Sequence, residues 1–275
     1  MSEGRGLRAE GRGTAEQGHG SPHPSALSPQ IWVVDLGTRP YAEVLDLQRS
    51  VARARISGEI DQDVLLLVEH PPVITLGRSS KDAHLLANPA QLTARGVEVF
   101  EVERGGDVTF HGPGQLVGYP IVDLKRHRQD LHWYLRQVEE LLIRALARFG
   151  IPGERVPKYT GVWTRDRKIA SIGVHARDWV TWHGFALNVS TELSYFDLIV
   201  PCGIPEVRMT SVERELVERA EGACLATSPS LADDVRDAVS AAAAEVFDLT
   251  MRRTTPGTLT AMLGSPLDPI APAQL

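Results

Sequence analysis

The sequence is short of cysteine and of long apolar stretches, and each shortage excludes a class of protein. Only two cysteines, Cys202 and Cys224, occur in 275 residues. Two are too few for a disulfide framework, so we expect a reducing, cytoplasmic environment. The sequence has no apolar run of about 18 residues, and we therefore expect no membrane span. Its first residues lack the apolar core of a signal peptide, and we expect none.

Basic residues are also in the minority. The chain has 29 Lys and Arg against 35 Asp and Glu, which gives a formal net charge of -6. Proteins that bind nucleic acid generally present a basic face, so we expect no nucleic-acid partner. The sequence also lacks a Walker A phosphate loop and paired cysteines at the spacing of a zinc site. We therefore expect no metal and no dissociable cofactor.

Composition divides the chain into three parts. Residues 1–28 are rich in Gly, Ser, Pro, Arg and Glu and have few large apolar side chains, which predicts a disordered extension. Residues 29–250 contain the apolar patterns of one folded domain. Residues 251–275 are rich in Pro and Thr, and we expect a loose tail there.

Within the domain, strand patterns and helix patterns occur in separate groups. Helices are predicted to start at Pro40, Asn88, Asp130, Thr210 and Ser230. Apolar runs and alternation predict strands at 31–34, 64–69, 73–77, 97–103, 116–124, 161–164, 168–176 and 179–189. This grouping favours an α+β fold, with a mixed or antiparallel sheet and flanking helices, over a doubly wound sheet.

A glycine-rich stretch at residues 104–115 lies between two predicted strands. Four glycines and one proline occur in these twelve residues. Glycine lets another molecule approach the backbone closely. Between the glycines stand Arg104, Asp107, His111 and Gln115, and a few converging polar groups are typical of a ligand pocket. A glycine-rich hairpin that binds no ligand is the alternative.

Residues 104–120, Arg-Gly-Gly-Asp-Val-Thr-Phe-His-Gly-Pro-Gly-Gln-Leu-Val-Gly-Tyr-Pro, closely resemble the signature of the lipoyl(octanoyl) transferases. Further matches occur in the family's order, over roughly residues 31–250, at Glu69-His70-Pro71 and at 168–173, 183–188 and 199–204. The resemblance implies the α+β catalytic domain of biotin and lipoate protein ligases. It also implies transfer of an octanoyl or lipoyl group from acyl carrier protein to a lysine of a lipoyl domain, the first step of protein lipoylation. The implied acceptors are the lipoyl domains of 2-oxoacid dehydrogenase complexes and the glycine cleavage H protein.

The resemblance also assigns roles to residues. It makes Cys202 a nucleophile that forms a thioester with the acyl group, and it places Lys168 beside it as a cation. An ordinary thiol is only about 3% thiolate at pH 7, so a neighbouring cation would increase its reactivity. Separation by 34 residues means that the sequence alone cannot show this proximity. The substrate-binding residues that the resemblance implies are Arg104, Gly105, Gly106, Asp107, Val108, Thr109, Phe110, His111, Ser171, Ile172, Gly173, Gly184, Phe185 and Ala186.

Several residues stay divided between a functional and a structural role. His111 is as much a candidate for bracing a loop as for the site, and the same holds for His70, His183 and Asn188. His175 and Cys224 are predicted to be structural. The basic run at residues 125–128, Lys-Arg-His-Arg, is either a docking patch for an acidic carrier protein or a solvated turn.

Three other functions remain open. An ATP-dependent lipoate or biotin ligase would share the glycine-rich stretch and Lys168 but needs no nucleophilic cysteine, so Pro201-Cys202-Gly203 favours the transferase. An amidotransferase that moves octanoyl groups between lipoyl-type proteins would share both residues and differ in its donor. A protein that binds carrier or lipoyl domains without turnover is the non-enzymatic alternative.

Overall fold

A computed structural model of the chain describes residues 29–219 and 230–263. The predictions for residues 1–28, for Cys224 and for the last residues of the tail lie outside this part. The strands and helices of the described residues are, in chain order, β1 Gln30–Thr38, α1 Tyr41–Ser57, β2 Asp63–Glu69, β3 Val73–Leu76, α2 Pro89–Ala94, β4 Glu98–Glu101, β5 Val108–His111, β6 Gln115–Ile121, α3 Leu131–Ala147, β7 Gly161–Thr164, β8 Arg167–Arg177, β9 Val180–Asn188, α4 Val212–Arg219, α5 Leu231–Phe247, β10 Thr250–Thr254 and α6 Pro256–Met262.

The larger sheet has seven strands in the order β10-β1-β2-β6-β9-β8-β7. Its pairs are parallel between β1 and each neighbour and antiparallel elsewhere, so the sheet is mixed, as predicted. Successive side chains of a strand point to opposite faces. Leu65 and Leu67 accordingly pack with α3 and α5, whereas Val64 and Leu66 pack with α1 on the other face. The continuous apolar run of β2 is explained by helices on both faces of the sheet.

A smaller sheet, in the order β4-β3-β5, packs against α1, since Val73 of β3 shares a buried cluster with Tyr41 and Leu45. It contains the short strand β5 from the glycine-rich stretch. Ile74 of β3 and Phe110 of β5 are buried in one apolar cluster with Phe196 and Leu198. The smaller sheet thus has its own core and leaves a cavity between itself and the larger sheet.

Two helix starts show the predicted side-chain caps. Asp130 accepts hydrogen bonds from the backbone N–H groups of His132 and Trp133 at the start of α3. Asn88 forms a capping box with Gln91 at the start of α2. These side chains satisfy backbone donors that the first turn of a helix leaves unpaired.

The C-terminal prediction is wrong for part of the tail. Residues 250–254 form β10, which pairs with β1, and Leu259 of α6 is fully buried in the cluster beneath α1. The β10 side chains are largely exposed, so the strand is held by its backbone pairing and has no apolar alternation to reveal it. Across residues 29–219 and 230–263, none of the helices is both long and apolar enough to cross a membrane.

Candidate active site

Cys202 lies in a tight turn that follows an extended segment. Residues Pro201–Gly203 form one 3₁₀ turn, within which Cys202 has a non-helical backbone conformation. Val200 N–H donates to the carbonyl of His84 at 2.8 Å, which ties the turn to a neighbouring loop. Cys202 has a φ of 57°, the left-handed region that non-glycine residues seldom adopt. Strain of this kind is frequent at functional sites and presents the Sγ atom in one direction.

Lys168, on β8, extends its side chain to Cys202. Its backbone N–H donates to the Arg208 carbonyl, and its carbonyl accepts from the Thr210 N–H. These bonds fix β8 beside residues 208–210, which follow the turn that contains Cys202. Lys168 is fully buried, and its Nζ atom lies 3.1 Å from Cys202 Sγ. Nζ also donates to the Thr160 carbonyl at 3.2 Å and lies 4.6 Å from the centre of the Trp163 ring. The structure therefore brings together the two residues that the sequence could not connect.

The surroundings of Cys202 favour its thiolate. Burial raises the pKa of the thiol, but the Lys168 ammonium and the Ser171 hydroxyl lower it, and the net pKa lies below the usual value. Ser171 Oγ lies 3.5 Å from Sγ, where it can donate to the charged sulfur. A lower pKa increases the thiolate fraction near neutral pH, as catalytic cysteines require.

The Cys202 thiol opens into a cavity of about 190 Å³ between the two sheets. Most of the predicted substrate-binding residues line it. They are Arg104, Gly106, Asp107, Thr109, His111, Ser171, Ile172, Gly173, Gly184, Phe185 and Ala186. His183, which the sequence left divided between two roles, also lines it. So do residues that the sequence analysis did not select, namely Tyr41, Val117, Tyr119, Lys158, Tyr159, Thr160 and Ile204.

Three of the predicted residues, Gly105, Val108 and Phe110, do not line this cavity, so their contact with substrate stays a prediction. Strand alternation explains the positions of Val108 and Phe110. Thr109 and His111 of β5 face the cavity, while Val108 and Phe110 face the core of the smaller sheet. Phe110 stacks there on Tyr195, with ring centres 4.7 Å apart.

The cavity glycines serve the packing of the protein itself. A methyl group on Gly173 would lie 2.8 Å from the Gly105 carbonyl and 3.1 Å from Arg104 Cδ. One on Gly184 would collide with the backbone of Gly118. At Gly173, the missing side chain lets the glycine-rich stretch rest on β8.

The buried side chain of Arg104 holds the glycine-rich stretch in place. Its guanidinium is buried and donates to the carbonyls of Gly105, Asp107 and Thr75 and to the Thr75 hydroxyl, at 2.7 to 3.1 Å. Burial lowers its pKa. Because four of its hydrogen bonds go to protein, Arg104 shapes the cavity wall.

Asp107 connects the glycine-rich stretch to the cysteine turn. One carboxylate oxygen accepts from the backbone N–H of Val108 and the other lies 2.7 Å from His84 Nδ1. A side chain on Gly203 would collide with this carboxylate, so the turn that holds Cys202 rests against it. The sequence analysis missed His84, which has no motif around it and is brought here only by the fold.

The remaining histidines are mostly structural. His70 is buried, donates from Nδ1 to the Arg39 carbonyl at 2.7 Å and lies 2.8 Å from the Tyr119 hydroxyl. His175 packs edge-on against Trp182, as a structural residue does. His183 has a φ of 57° and lines the cavity.

His111 both braces and lines the site. Its Nδ1 donates to Gln115 Oε1 at 2.9 Å, because the amide nitrogen of Gln115 is engaged by Phe110 and Asn188. The neutral ring then presents Nε2 as an acceptor. Asn188 itself is buried in this network and donates to the Thr210 carbonyl.

The side chains of the basic run at 125–128 form ion pairs with nearby carboxylates. Its side chains lie within 4 Å of carboxylates of nearby residues, in the pairs Lys125–Asp123, Arg126–Asp61, His127–Asp63 and Arg128–Asp130. Lys125, Arg126 and Arg128 are exposed and His127 is partly exposed, so the docking role stays a prediction.

Comparison with known proteins agrees with this geometry. The family model described as the lipoyl protein ligase A/B catalytic domain matches residues 40–228. An octanoyltransferase of Gloeobacter violaceus is 45% identical over 231 residues, which are 84% of this chain and 95% of the relative. An octanoyltransferase of Rubrobacter xylanophilus is 58% identical over 182 residues, 66% of this chain and 81% of the relative.

Solved structures show the same fold at low identity. A bi-partite lipoate protein ligase of Thermoplasma acidophilum has a TM-score of 0.64 at 15% identity, over 86% of this chain and 91% of that one. A lipoate-protein ligase A bound with ATP has the same score and identity, over 86% and 93%. The expected α+β ligase-like fold is thus confirmed. The chain belongs to the lipoyl protein ligase A/B catalytic domain family and, within it, to the octanoyltransferases, which are acyltransferases.

Proposed function

We propose that the protein transfers an octanoyl or lipoyl group from acyl carrier protein to a lysine of a lipoyl domain, through a thioester on Cys202. The distance of 3.1 Å between Lys168 Nζ and Cys202 Sγ, at the wall of a cavity, supports this proposal most directly. Such a pair supplies a charged nucleophile and a proton carrier at one point.

In the first step, the Cys202 thiolate attacks the carbonyl carbon of the carrier thioester. The new C–S bond forms as the bond to the carrier's sulfur breaks. Lys168 gives its proton to the departing sulfur, which leaves as a thiol, and Lys168 becomes neutral. A thioester intermediate keeps the acyl group reactive toward an amine.

In the second step, the acceptor lysine attacks the thioester. Its amine has a reference pKa near 10.4 and reacts after losing one proton to solvent. As the C–N bond forms and the bond to Cys202 breaks, the nitrogen gives a second proton to the neutral Lys168. This transfer restores the thiolate and ammonium pair, and each turnover releases one proton to solvent.

The preferred donor is carrier protein, and the acceptors are the lipoyl domains of 2-oxoacid dehydrogenase complexes and the glycine cleavage H protein. The decisive assay mixes the purified chain, octanoyl-carrier protein and a lipoyl domain without nucleotide. We expect octanoyl-lipoyl domain to accumulate over many turnovers, and no product with Cys202→Ala. Transfer that requires ATP and free octanoate would instead indicate a ligase.

The amidotransferase alternative is tested by the donor. Octanoyl-carrier protein and an octanoylated lipoyl-type protein are offered separately at equal concentration. We expect kcat/KM to be higher for the carrier protein. A preference for the octanoylated protein would assign the chain to amide-to-amide transfer.

A further inference from the structure

The floor of the cavity is a row of side chains on neighbouring strands. Ser171 of β8 pairs with Ala186 of β9, and Ala186 pairs with Val117 of β6. Directly paired residues of antiparallel strands point to the same face, and all three line the cavity. The row continues to Val68 of β2, which pairs with Val117 but does not line the cavity.

The reacting sulfur lies at one end of this row. Cys202 Sγ is 3.5 Å from Ser171 Oγ, and the next side chains along the row are Ala186 and Val117. Strands lie about 4.8 Å apart, so the backbone at Val117 is roughly 9.6 Å from that at Ser171. An extended eight-carbon acyl group spans about 9 Å, given C–C bonds of about 1.5 Å.

A second direction, along β8 from Ser171, is narrowed. Arg104 Cδ and the Gly105 carbonyl lie directly over Gly173, the next residue of β8 on this face. The side chains of the row grow from the small Ser171 and Ala186 to Val117, with Tyr119 beside it on β6 and Tyr41 near the same end. The row across the strands thus offers an acyl chain on Sγ a path along small side chains as far as Val117 on β6.

We propose that Val117 is the residue that sets acyl-chain length, and that Ala186 keeps the middle of the path open. This inference rests on the proposed function, because it takes the Cys202 thioester as the fixed end of the chain. The Val117 side chain meets the terminal methyl group of an octanoyl chain. A hydrophobic pocket discriminates one methylene by about 10- to 200-fold.

The test compares hexanoyl-, octanoyl-, decanoyl- and dodecanoyl-carrier protein as donors, with one lipoyl domain as acceptor. For Val117→Ala we expect the decanoyl-to-octanoyl ratio of kcat/KM to rise roughly tenfold or more. For Val117→Ile we expect the hexanoyl-to-octanoyl ratio to rise. Ala186→Val, which narrows the middle of the path, is expected to lower kcat/KM for all four donors.

Val68→Ala is the matched control. It removes the same two methyl groups from the same row, one strand further on, in a fully buried residue outside the cavity wall. We expect its chain-length profile to equal that of the wild type, even if its melting temperature falls. Thermal melts of all variants show whether each is folded at the assay temperature.

The outcomes separate this inference from the function on which it rests. If the wild type transfers no acyl group from carrier protein, the proposed function fails. If the wild type is active and Val117→Ala keeps the wild-type profile, or Val68→Ala shifts it equally, the assignment of Val117 is overturned. If Val117→Ala does not fold, the Val117→Ile profile decides in the same way.

Discussion

At the scale of single residues, the account depends on the charge of one sulfur atom. Two groups stabilise the thiolate of Cys202: Lys168 Nζ at 3.1 Å and Ser171 Oγ at 3.5 Å. Together they outweigh burial and lower the pKa of the thiol. The strength of the nucleophile is therefore a property of the contact between β8 and the cysteine turn.

Alkylation of Cys202 by iodoacetamide measures this effect. Because the thiolate is the reactive form, the rate should reach half its maximum at a pH below the ordinary thiol pKa of about 8.5. Lys168→Met removes the cation and should move the midpoint to higher pH, and Ser171→Ala should move it in the same direction by less. An unchanged midpoint in Lys168→Met would mean that the lysine does not activate the sulfur. Peptide mapping separates the signal of Cys202 from that of Cys224.

Gly203 is required for the position of Cys202. Its φ is +66°, and a methyl group there would collide with the Asp107 carboxylate. We expect Gly203→Ala to lower octanoyl transfer by about a hundredfold, since displacement of a reacting group by about 1 Å has that effect.

Gly37→Ala is the control for backbone strain. Gly37 has a φ of +62°, but a methyl group there meets no atom within 4 Å. The two variants should lose similar stability from the left-handed backbone, about 1 kcal/mol, while only Gly203→Ala loses activity. Equal activity of both variants would contradict the role given to the turn.

At the scale of elements, the sequence predicted those with strong periodicity or a clear cap. Helix α3 begins at its predicted cap, Asp130, and β2 has the predicted burial on both faces. Strands β5 and β10 were not predicted, because β5 lies within the glycine-rich stretch and the side chains of β10 are largely exposed. Both are held by pairing with strands distant in the sequence, which no local pattern records.

The proximity of Cys202 and Lys168 has the same origin. Their meeting requires backbone hydrogen bonds from Lys168 to Arg208 and Thr210, and a further one from Val200 to His84. None of these contacts follows from residue type or spacing. The resemblance of the sequence to a family indicated the pair, whereas physical reasoning on the sequence alone left it open.

The C-terminal elements are expected to stabilise the domain. Leu259 of α6 is fully buried, whereas Met262 of the same helix is 47% exposed. Leu259→Ala should lower the free energy of unfolding by about 2 to 5 kcal/mol, as for other buried leucines. Met262→Ala should change it by less than about 1 kcal/mol. Urea denaturation measures both free energies of unfolding. A change of less than about 1 kcal/mol in both variants would support the original prediction of a loose tail.

At the scale of the whole molecule, buried neutral histidines make stability depend on pH. Burial lowers the pKa of His70 to about 4 and that of His111 to about 3. In the unfolded chain each takes up a proton near pH 6.5, while the folded protein keeps both rings neutral. Their contribution is therefore complete above pH 6.5 and decreases as the pH falls toward 4.

The free energy of unfolding should fall by up to about 1.4 kcal/mol per pH unit for each histidine between pH 6 and pH 5. His111→Gln should reduce that slope by the contribution of one histidine, up to about 1.4 kcal/mol per pH unit. Glu103, whose pKa is lowered by its hydrogen bonds, keeps its full stabilising contribution above its unfolded pKa near 4.3, so it adds no slope between pH 6 and pH 5. A wild-type slope near zero between pH 6 and pH 5 would contradict the buried neutral rings.

The most direct test of the central claim follows the first step alone. The chain is mixed with octanoyl-carrier protein without acceptor, quenched in acid within its first turnover, and examined by intact mass and peptide mapping. The account predicts one octanoyl group, on the peptide that contains Cys202, and formation at least a hundredfold slower in Lys168→Met. An octanoyl group on another residue, or equal rates in the two proteins, would contradict it.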